Sequence, residues 1–355
     1  MTPLFELARL FAARSIDVTF FTTPGNALGL RKAVDKDIAA GQPISLEVFD
    51  FPSKQAGTTD GIENLLDTAI DRPTFMAVYR GIAILAQRFQ DFILQNPPDC
   101  LVVDFVYPWT SDLATRLGIP SIAFNTFCLF TVCAMLSLNS FTIPDSGPYV
   151  IPDLPHRISM TAKPPEAFNK PTALRMEASF KTNGIIMNNF AELDGEYVEH
   201  YRKISGHRVW HIGPASLIHR TAEEKTERCH ENEVNEHECL KWLDSKKPNS
   251  VIYVCFGSAT RFSDAQLYEM ATGLESSGCD FIWVVSVKGK TENETEEEKE
   301  KWMPKGFEER VKRENKGMVL RGWAPQLLIL GHEAVGAFMT HCGWNSVGGT
   351  RWWRA

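Results

Sequence analysis

Val335 to Thr340 is a short apolar run, and His341-Cys342-Gly343-Trp344-Asn345-Ser346 comes directly after it. The run reads as a buried strand, the glycine as a turn, and Trp344-Asn345-Ser346 as the start of a helix. That order ties the chain to an α/β architecture and also builds a phosphate site. Free backbone N–H groups and the positive end of the helix dipole meet at the turn. Gly343 lets the backbone come close, His341 can donate to a phosphate oxygen, and Asn345 and Ser346 add side-chain donors. Upstream, Trp323 offers a flat face for a base. Ala324-Pro325-Gln326 is too stiff for a helix interior, which leaves its backbone to read a base edge. A base platform followed by a diphosphate cradle describes a nucleotide-sugar site.

The stretch W-A-P-Q-L-L-I-L-G-H-E-A-V-G-A-F-M-T-H-C-G-W-N-S, Trp323 to Ser346, resembles the first part of the signature box of plant family-1 UDP-glycosyltransferases. These are secondary-metabolite enzymes with the two-domain GT-B fold. The family pattern next has a glutamate for the ribose hydroxyls, where this sequence has Gly349. Further on it has an acidic residue and a glutamine for the sugar hydroxyls, and Val347 to Ala355 departs from that pattern. Family members also carry a glycine-histidine pair just before a segment similar to M-T-P-L-F-E-L-A-R-L-F-A, and that histidine is their catalytic base. The resemblance therefore implies a chain short at both ends, without its first strand and without the base.

The 355 residues suit two domains of ordinary size or one large one. At 44% hydrophobic and 23% charged, the chain is globular. A net charge of −7 argues against nucleic acid as a partner, while local dipoles and one histidine still permit a diphosphate. Eight cysteines in a chain of this length are not a disulfide framework. Cys128, Cys133 and Cys255 lie in apolar runs and read as small buried hydrophobes. With no signal peptide and no span of sufficient apolar length, the expectation is a cytoplasmic monomer without an integral membrane segment.

In chain order, the patterns predict a helix over Leu4 to Ser15, then strands at Val18 to Thr23 and Ile44 to Phe51. A helical pattern over Ile62 to Asn96 breaks at Arg72-Pro73. Leu101 to Asp104 is a strand ending in a carboxylate. Helix, strand and helix follow at Pro108 to Leu117, Ser121 to Thr126 and Phe127 to Leu138. Seven prolines between Pro144 and Pro171 predict an irregular loop with no element of its own. Ala173 to Lys181 and Leu193 to Lys203 read as helices, and Gly184 to Phe190 and Val209 to Gly213 as strands. His219 to Glu236 is polar and charged, as a linker is, and Cys239 to Leu243 reads as a short helix. Strands at Ser250 to Phe256, Phe281 to Val285 and Met318 to Arg321 start a second α/β unit. Glutamate-rich Lys288 to Lys301 reads as a solvated loop.

Ser258, in C-F-G-S after a strand, can turn its hydroxyl and N–H to the same diphosphate, and the family has a similar F-G-S. Asp104 has two readings, as a carboxylate capping the next helix or as a site residue at a strand's C-terminal end. In the family, an aspartate in a similar segment orients the catalytic histidine, as a triad carboxylate does. The D-x-D at Asp35-Lys36-Asp37 lies in a charged stretch away from any strand end and is set aside. Cys229, His230, His237 and Cys239 have zinc-ligand chemistry without finger spacing. No G-x-G-x-x-G or P-loop pattern occurs. Phe124 and Phe127 either line an apolar acceptor pocket or belong to the core. Segments such as N-N-F-A-E-L-D-G-E-Y-V-E-H-Y are similar to the branch acting on triterpenoid saponins, flavonoids and phenolics.

The expected organisation is GT-B: an acceptor domain over 1–217, a linker over 218–246 and a UDP-sugar domain over 247–355. The resemblance implies inverting, metal-independent hexose transfer, with UDP-glucose the expected donor, to an acceptor hydroxyl and no further cofactor. Asp104 would orient the base, and Ser258, Trp323, Ala324, Gln326, His341, Gly343, Trp344, Asn345 and Ser346 would hold the donor. For the chain as given, the expectation is little or no transfer. The alternative is a non-catalytic remnant that at most binds UDP.

Overall fold

The computed structural model of the protein describes residues 2–63, 72–105, 107–162, 179–219, 236–257, 260–285, 294–322, 324–344 and 346. Its strands, in chain order, are β1 Val18–Thr22, β2 Ile44–Val48, β3 Leu101–Asp104, β4 Ser121–Asn125, β5 Tyr149–Ile151, β6 Ile158–Met160, β7 Gly184–Met187 and β8 Arg208–His211. They continue as β9 Val251–Val254, β10 Asp280–Val285, β11 Gly317–Arg321 and β12 Val335–Met339. Among the described residues every pairing but one is parallel; β5 and β6 pair antiparallel. Helices connect the parallel strands, as that pairing requires.

The chain divides into two compact units. One contains Met1–Ile16 and Ile82–Ile218, the other Asp17–Gly81 and His219–Ala355. Residues 17–81 thus fall in the second of these units.

In the first unit the sheet order is β3-β4-β7-β8. Ala123, Ile185 and Met187 bury one face of this sheet against the helices Leu129–Ser140 and Tyr197–Ser205, through Val132, Cys133, Tyr197 and Tyr201. Phe124 and Ile186 turn to the other face, where Leu7 of the helix Thr2–Ala12 packs on them. Alternate residues serve opposite faces because successive strand side chains do.

A buried carboxylate ties the C-terminal ends of β7 and β8 together. The Asp194 side chain is fully buried. It accepts from the Leu129 N–H at 2.7 Å, from the Asn189 amide, and from His211 Nε2 at 2.9 Å. Asn189 follows β7, His211 ends β8, and Leu129 opens a helix whose own N-cap, Cys128, makes no side-chain cap bond. One side chain therefore satisfies donors from three elements.

Two sequence expectations need correction here. The proline-rich segment does carry an element, the hairpin β5–β6. Its prolines fall at 144, 148, 152 and 155, outside the two strands, so no ladder N–H is lost. Tyr149 and Ile151 turn inward onto Ala134. The helix expected over Leu193 to Lys203 is two, Ala191–Asp194 and Tyr197–Ser205. Gly195 takes φ +51 between them, and that break is what aims Asp194 inward. The expected helix over Ala173 to Lys181 falls mostly outside the described residues, with Ser179–Lys181 a 3₁₀ turn, and most of the expected linker does too.

In the second unit β1 pairs with β2, and a four-stranded sheet runs β11-β10-β9-β12. Tyr253, Ile282 and Leu320 face one core with Cys239, Leu243 and Ile329. Phe281, Trp283 and Val285 face another with Leu267, Leu274, Trp302 and Phe307. The helix Asp264–Ser276 begins with a capping box: Ser263 Oγ accepts from the Gln266 N–H at 3.3 Å, and Gln266 Oε1 accepts from the Ser263 N–H at 3.0 Å. Ser263→Ala is expected to cost about 1 kcal/mol in a urea titration, because two orphan donors lose their arrangement together.

Of the glutamate-rich run, residues 294–301 are described, and they carry a helix where a loop was expected. Thr295 caps a short helix, Glu296–Lys299, through a second capping box. The Thr295 backbone N–H and hydroxyl hold the Glu298 carboxyl below the usual carboxylate range. Trp302 and Met303 then enter the core.

Candidate functional site

Within the sheet β11-β10-β9-β12 the winding reverses. From β9 the chain proceeds outward through β10 to β11, then returns to the other side of β9 as β12. In an open parallel sheet such a reversal leaves a crevice at the C-terminal strand ends, where ligands bind. The segments leaving β9 and β12 are Cys255-Phe256-Gly257 and Thr340-His341-Cys342-Gly343. Parallel pairing of Val254 with Met339, with Cys255 N–H donating to the Met339 carbonyl at 3.0 Å, brings both to one place.

A bulge aligns them. Gly336 is the extra residue between Val335 and Ala337. Its Cα lies so close to the Asn249 backbone that a Cβ would overlap the Asn249 carbonyl. The His341 imidazole lies between two glycines. A Cβ on Gly257 would fall 2.7 Å from His341 Cε1 and 3.0 Å from Nε2, and one on Gly343 would overlap the ring outright. Gly257 has φ +72, so it is glycine on conformational grounds as well. His341 Nδ1 is 3.3 Å from Thr340 Oγ1. Cys342 takes φ +55, unusual for a residue with a side chain and a mark of a constrained turn. The Ser346 N–H donates to the Gly343 carbonyl at 2.8 Å, which closes the turn. His341 and Cys342 are exposed, and Gly343, Trp344 and Ser346 half-buried.

The structure therefore joins His341, Gly343, Trp344 and Ser346 in one turn and sets Gly257, the neighbour of Ser258 in C-F-G-S, against the His341 ring. The signal was present in C-F-G-S after a strand, but which strands adjoin was not. Ser258, Trp323 and Asn345 lie outside the described residues. Ala324 is buried in the core and its carbonyl accepts from the Gln326 N–H at 2.7 Å. That N–H is thus already used, and Gln326 opens the helix Gln326–Gly331.

Asp104 ends β3, half-buried, and its carbonyl accepts from the Tyr107 N–H at 3.1 Å. The next helix, Pro108–Leu117, has Tyr107 at its N-cap, and that residue makes no side-chain cap bond. Phe124 is 1% exposed and packs on Leu7, which makes it a core ring and removes it from any pocket lining. Phe127 is half-buried and meets Phe105 edge-on at 5.3 Å between ring centroids. Asp37 of the D-x-D is buried within the helix Pro24–Ala39.

Burial pushes the Cys133 thiol up to about 12, with the Asp194 charge adding to it, and burial also raises Cys255. Among the described residues no helix is long and apolar enough to cross a membrane.

The family model described as "UDP-glucoronosyl and UDP-glucosyl transferase" matches residues 84–349. UDP-glucosyl transferase 73CC6 of Saponaria officinalis is 44% identical over 360 residues, 98% of this chain and 72% of that protein. Scopoletin glucosyltransferase of Nicotiana tabacum is 42% identical, over 98% of this chain and 73% of its own length. Among solved structures, Glycyrrhiza uralensis UGT73P12 complexed with glycyrrhetinic acid 3-O-monoglucuronide aligns with TM-score 0.81 and 35% identity. That alignment covers 98% of this chain and 71% of that one. Medicago truncatula UGT71G1 complexed with UDP-glucose aligns at 0.76 and 25%, over 98% and 74%. With identities of this size over nearly all its residues, the chain belongs to the plant UDP-glucosyltransferases and shares their GT-B fold of Rossmann-like α/β units.

Proposed function

We propose that residues 247–355 bind a UDP-sugar and that the chain's reaction is inverting transfer of a hexose, glucose foremost, to a hydroxyl of a small plant metabolite. The observation that carries the reading is the His341 imidazole seated against Gly257 and Gly343 where the sheet winding reverses. Bare backbone on both sides is what admits the ring beside the turn. An imidazole N–H beside it can meet charge that grows on the departing group. With those donors no metal is required. Ser258, Trp344, Asn345 and Ser346 would complete the diphosphate side, and Trp323, Ala324 and Gln326 the base side. Asp104, at a strand end of the first unit, is proposed to take the place of the carboxylate that orients the family's histidine base, a residue to which the resemblance gives no position in this sequence. The transition state is oxocarbenium-like, as in glycoside hydrolysis.

The relatives' names support a phenolic acceptor, as for scopoletin, or a triterpenoid one, as for glycyrrhetinic acid monoglucuronide. Phe127 is the described aromatic proposed for that side.

Cys342 supplies a direct test. It is exposed inside the proposed diphosphate turn, Cys279 is exposed elsewhere, and Cys133 and Cys255 are buried or half-buried with raised thiols. Iodoacetamide mapping by mass spectrometry is expected to label Cys342 and Cys279 quickly and to spare Cys133 and Cys255, since the thiolate is the nucleophile. Saturating UDP should protect Cys342 and leave Cys279 unchanged. Equal labelling of Cys342 with and without UDP would sink the site assignment. UDP release with UDP-glucose and a phenolic or triterpenoid acceptor then separates a transferase from a chain that binds nucleotide alone.

A further inference from the structure

Arg321 is the last residue of β11, and its side chain is 9% exposed. Its guanidinium lies over the Trp302 ring, 5.6 Å from the centroid, and Nη1 donates to Glu308 Oε1 at 2.6 Å. Nε and Nη2 are buried and have no hydrogen-bond partner. The same indole holds a second incomplete group. Trp302 Nε1 donates to Glu294 Oε1 at 3.2 Å, while Glu294 Oε2 is buried and without a partner. A buried donor edge and a buried carboxylate oxygen thus gather on one ring, each unsatisfied, and each costly to leave so. The Nε/Nη2 edge of a guanidinium is the side that takes carboxylate oxygens in parallel.

We propose that Glu294 and Arg321 form one ion-paired unit across Trp302, with one water bridging the free oxygen of Glu294 to the Nε/Nη2 edge of Arg321. Arg321 is thereby a positioning residue for the nucleotide side of the site. Gly322 follows it at φ +94 and donates its N–H to the Val285 carbonyl at 3.4 Å, and Ala324 is core. Where the guanidinium is held sets the path of the backbone leaving β11. This role rests on the reading of Ala324 and Gln326 as part of the base-binding side.

The test is a double-mutant cycle of Glu294→Gln, Arg321→Lys and both together. Arg321→Lys keeps a cation for Glu308 and removes the planar edge. Thermal melts without ligand report the pair, and calorimetric titration of UDP reports its consequence. Each single variant is expected to lower Tm and weaken UDP binding by about tenfold, with the double variant no worse than the more severe single. Additive losses in Tm would overturn the pairing. A lowered Tm with UDP affinity unchanged would overturn the positioning role. Should Arg321→Lys fail to fold, Glu294→Gln with Tm and affinity both unchanged would overturn the proposal by itself. If the wild-type chain does not bind UDP, the nucleotide reading fails, and the ligand-free melts still decide the pair.

Discussion

Gly343→Ala is expected to cut UDP affinity roughly 10- to 100-fold, the worth of one hydrogen bond to a charged group, while the fold melts almost unchanged. The added methyl would occupy the space of the His341 ring. That ring is the exposed, rotatable partner in the clash, so it moves and the backbone does not. Gly257→Ala makes the informative contrast. Its Cβ would also crowd His341, at 2.7 Å, but Gly257 has φ +72. It should therefore lose affinity and also about 1–2 kcal/mol of stability from left-handed strain. Calorimetric UDP titration with parallel melts checks both. Gly343→Ala binding UDP as wild type does would mean that His341 is not where the diphosphate sits.

Asp194→Ala is expected to be the most damaging single change in the first unit, costing about 3–5 kcal/mol in urea unfolding. That is the range for deleting one member of a fully buried polar pair. The substitution orphans the Leu129 N–H, the Asn189 amide and His211 Nε2 at once, from a site with no exposure to water. Asn189 Oδ1 already lacks a partner there and has nothing to exchange with. Asp194→Asn should lose less, because it keeps an oxygen for one of the three donors. An alanine variant within 1 kcal/mol of wild type would show that water satisfies these groups and that the carboxylate does not organise the strand ends.

Much of this was legible in the sequence, for local reasons. Leu101 to Asp104, Ser121 to Thr126, Phe281 to Val285 and Val335 to Thr340 are β-rich runs bounded by turn residues, and they form strands to within one residue of those bounds. The family resemblance rested on residues that keep their meaning without coordinates: a glycine where the backbone must come close, a histidine at a strand-to-helix junction. The misreadings share one cause. Composition was allowed to stand for structure in the proline-rich segment, where the hairpin β5–β6 fits between the prolines. The same happened in the glutamate-rich run, where Thr295 caps a helix and Trp302 is core. Phe124 posed the opposite problem, because an aromatic at a strand end looks the same in sequence whether it lines a pocket or fills a core.

By itself the sequence determined most of the strands and helices, the family, and the residue types available at the turn after β12, because propensity, turn chemistry and capping act over a few residues. Only the tertiary structure decided that β9 and β12 are neighbours, and so that Gly257 and His341 share one site. It alone placed Asp194 under three elements, and Glu294 with Arg321 on one indole. Strand order in a parallel sheet is set by crossovers and by the packing of whole faces. No short-range pattern encodes that order, so contacts between residues far apart in the chain appear only when the sheet is assembled.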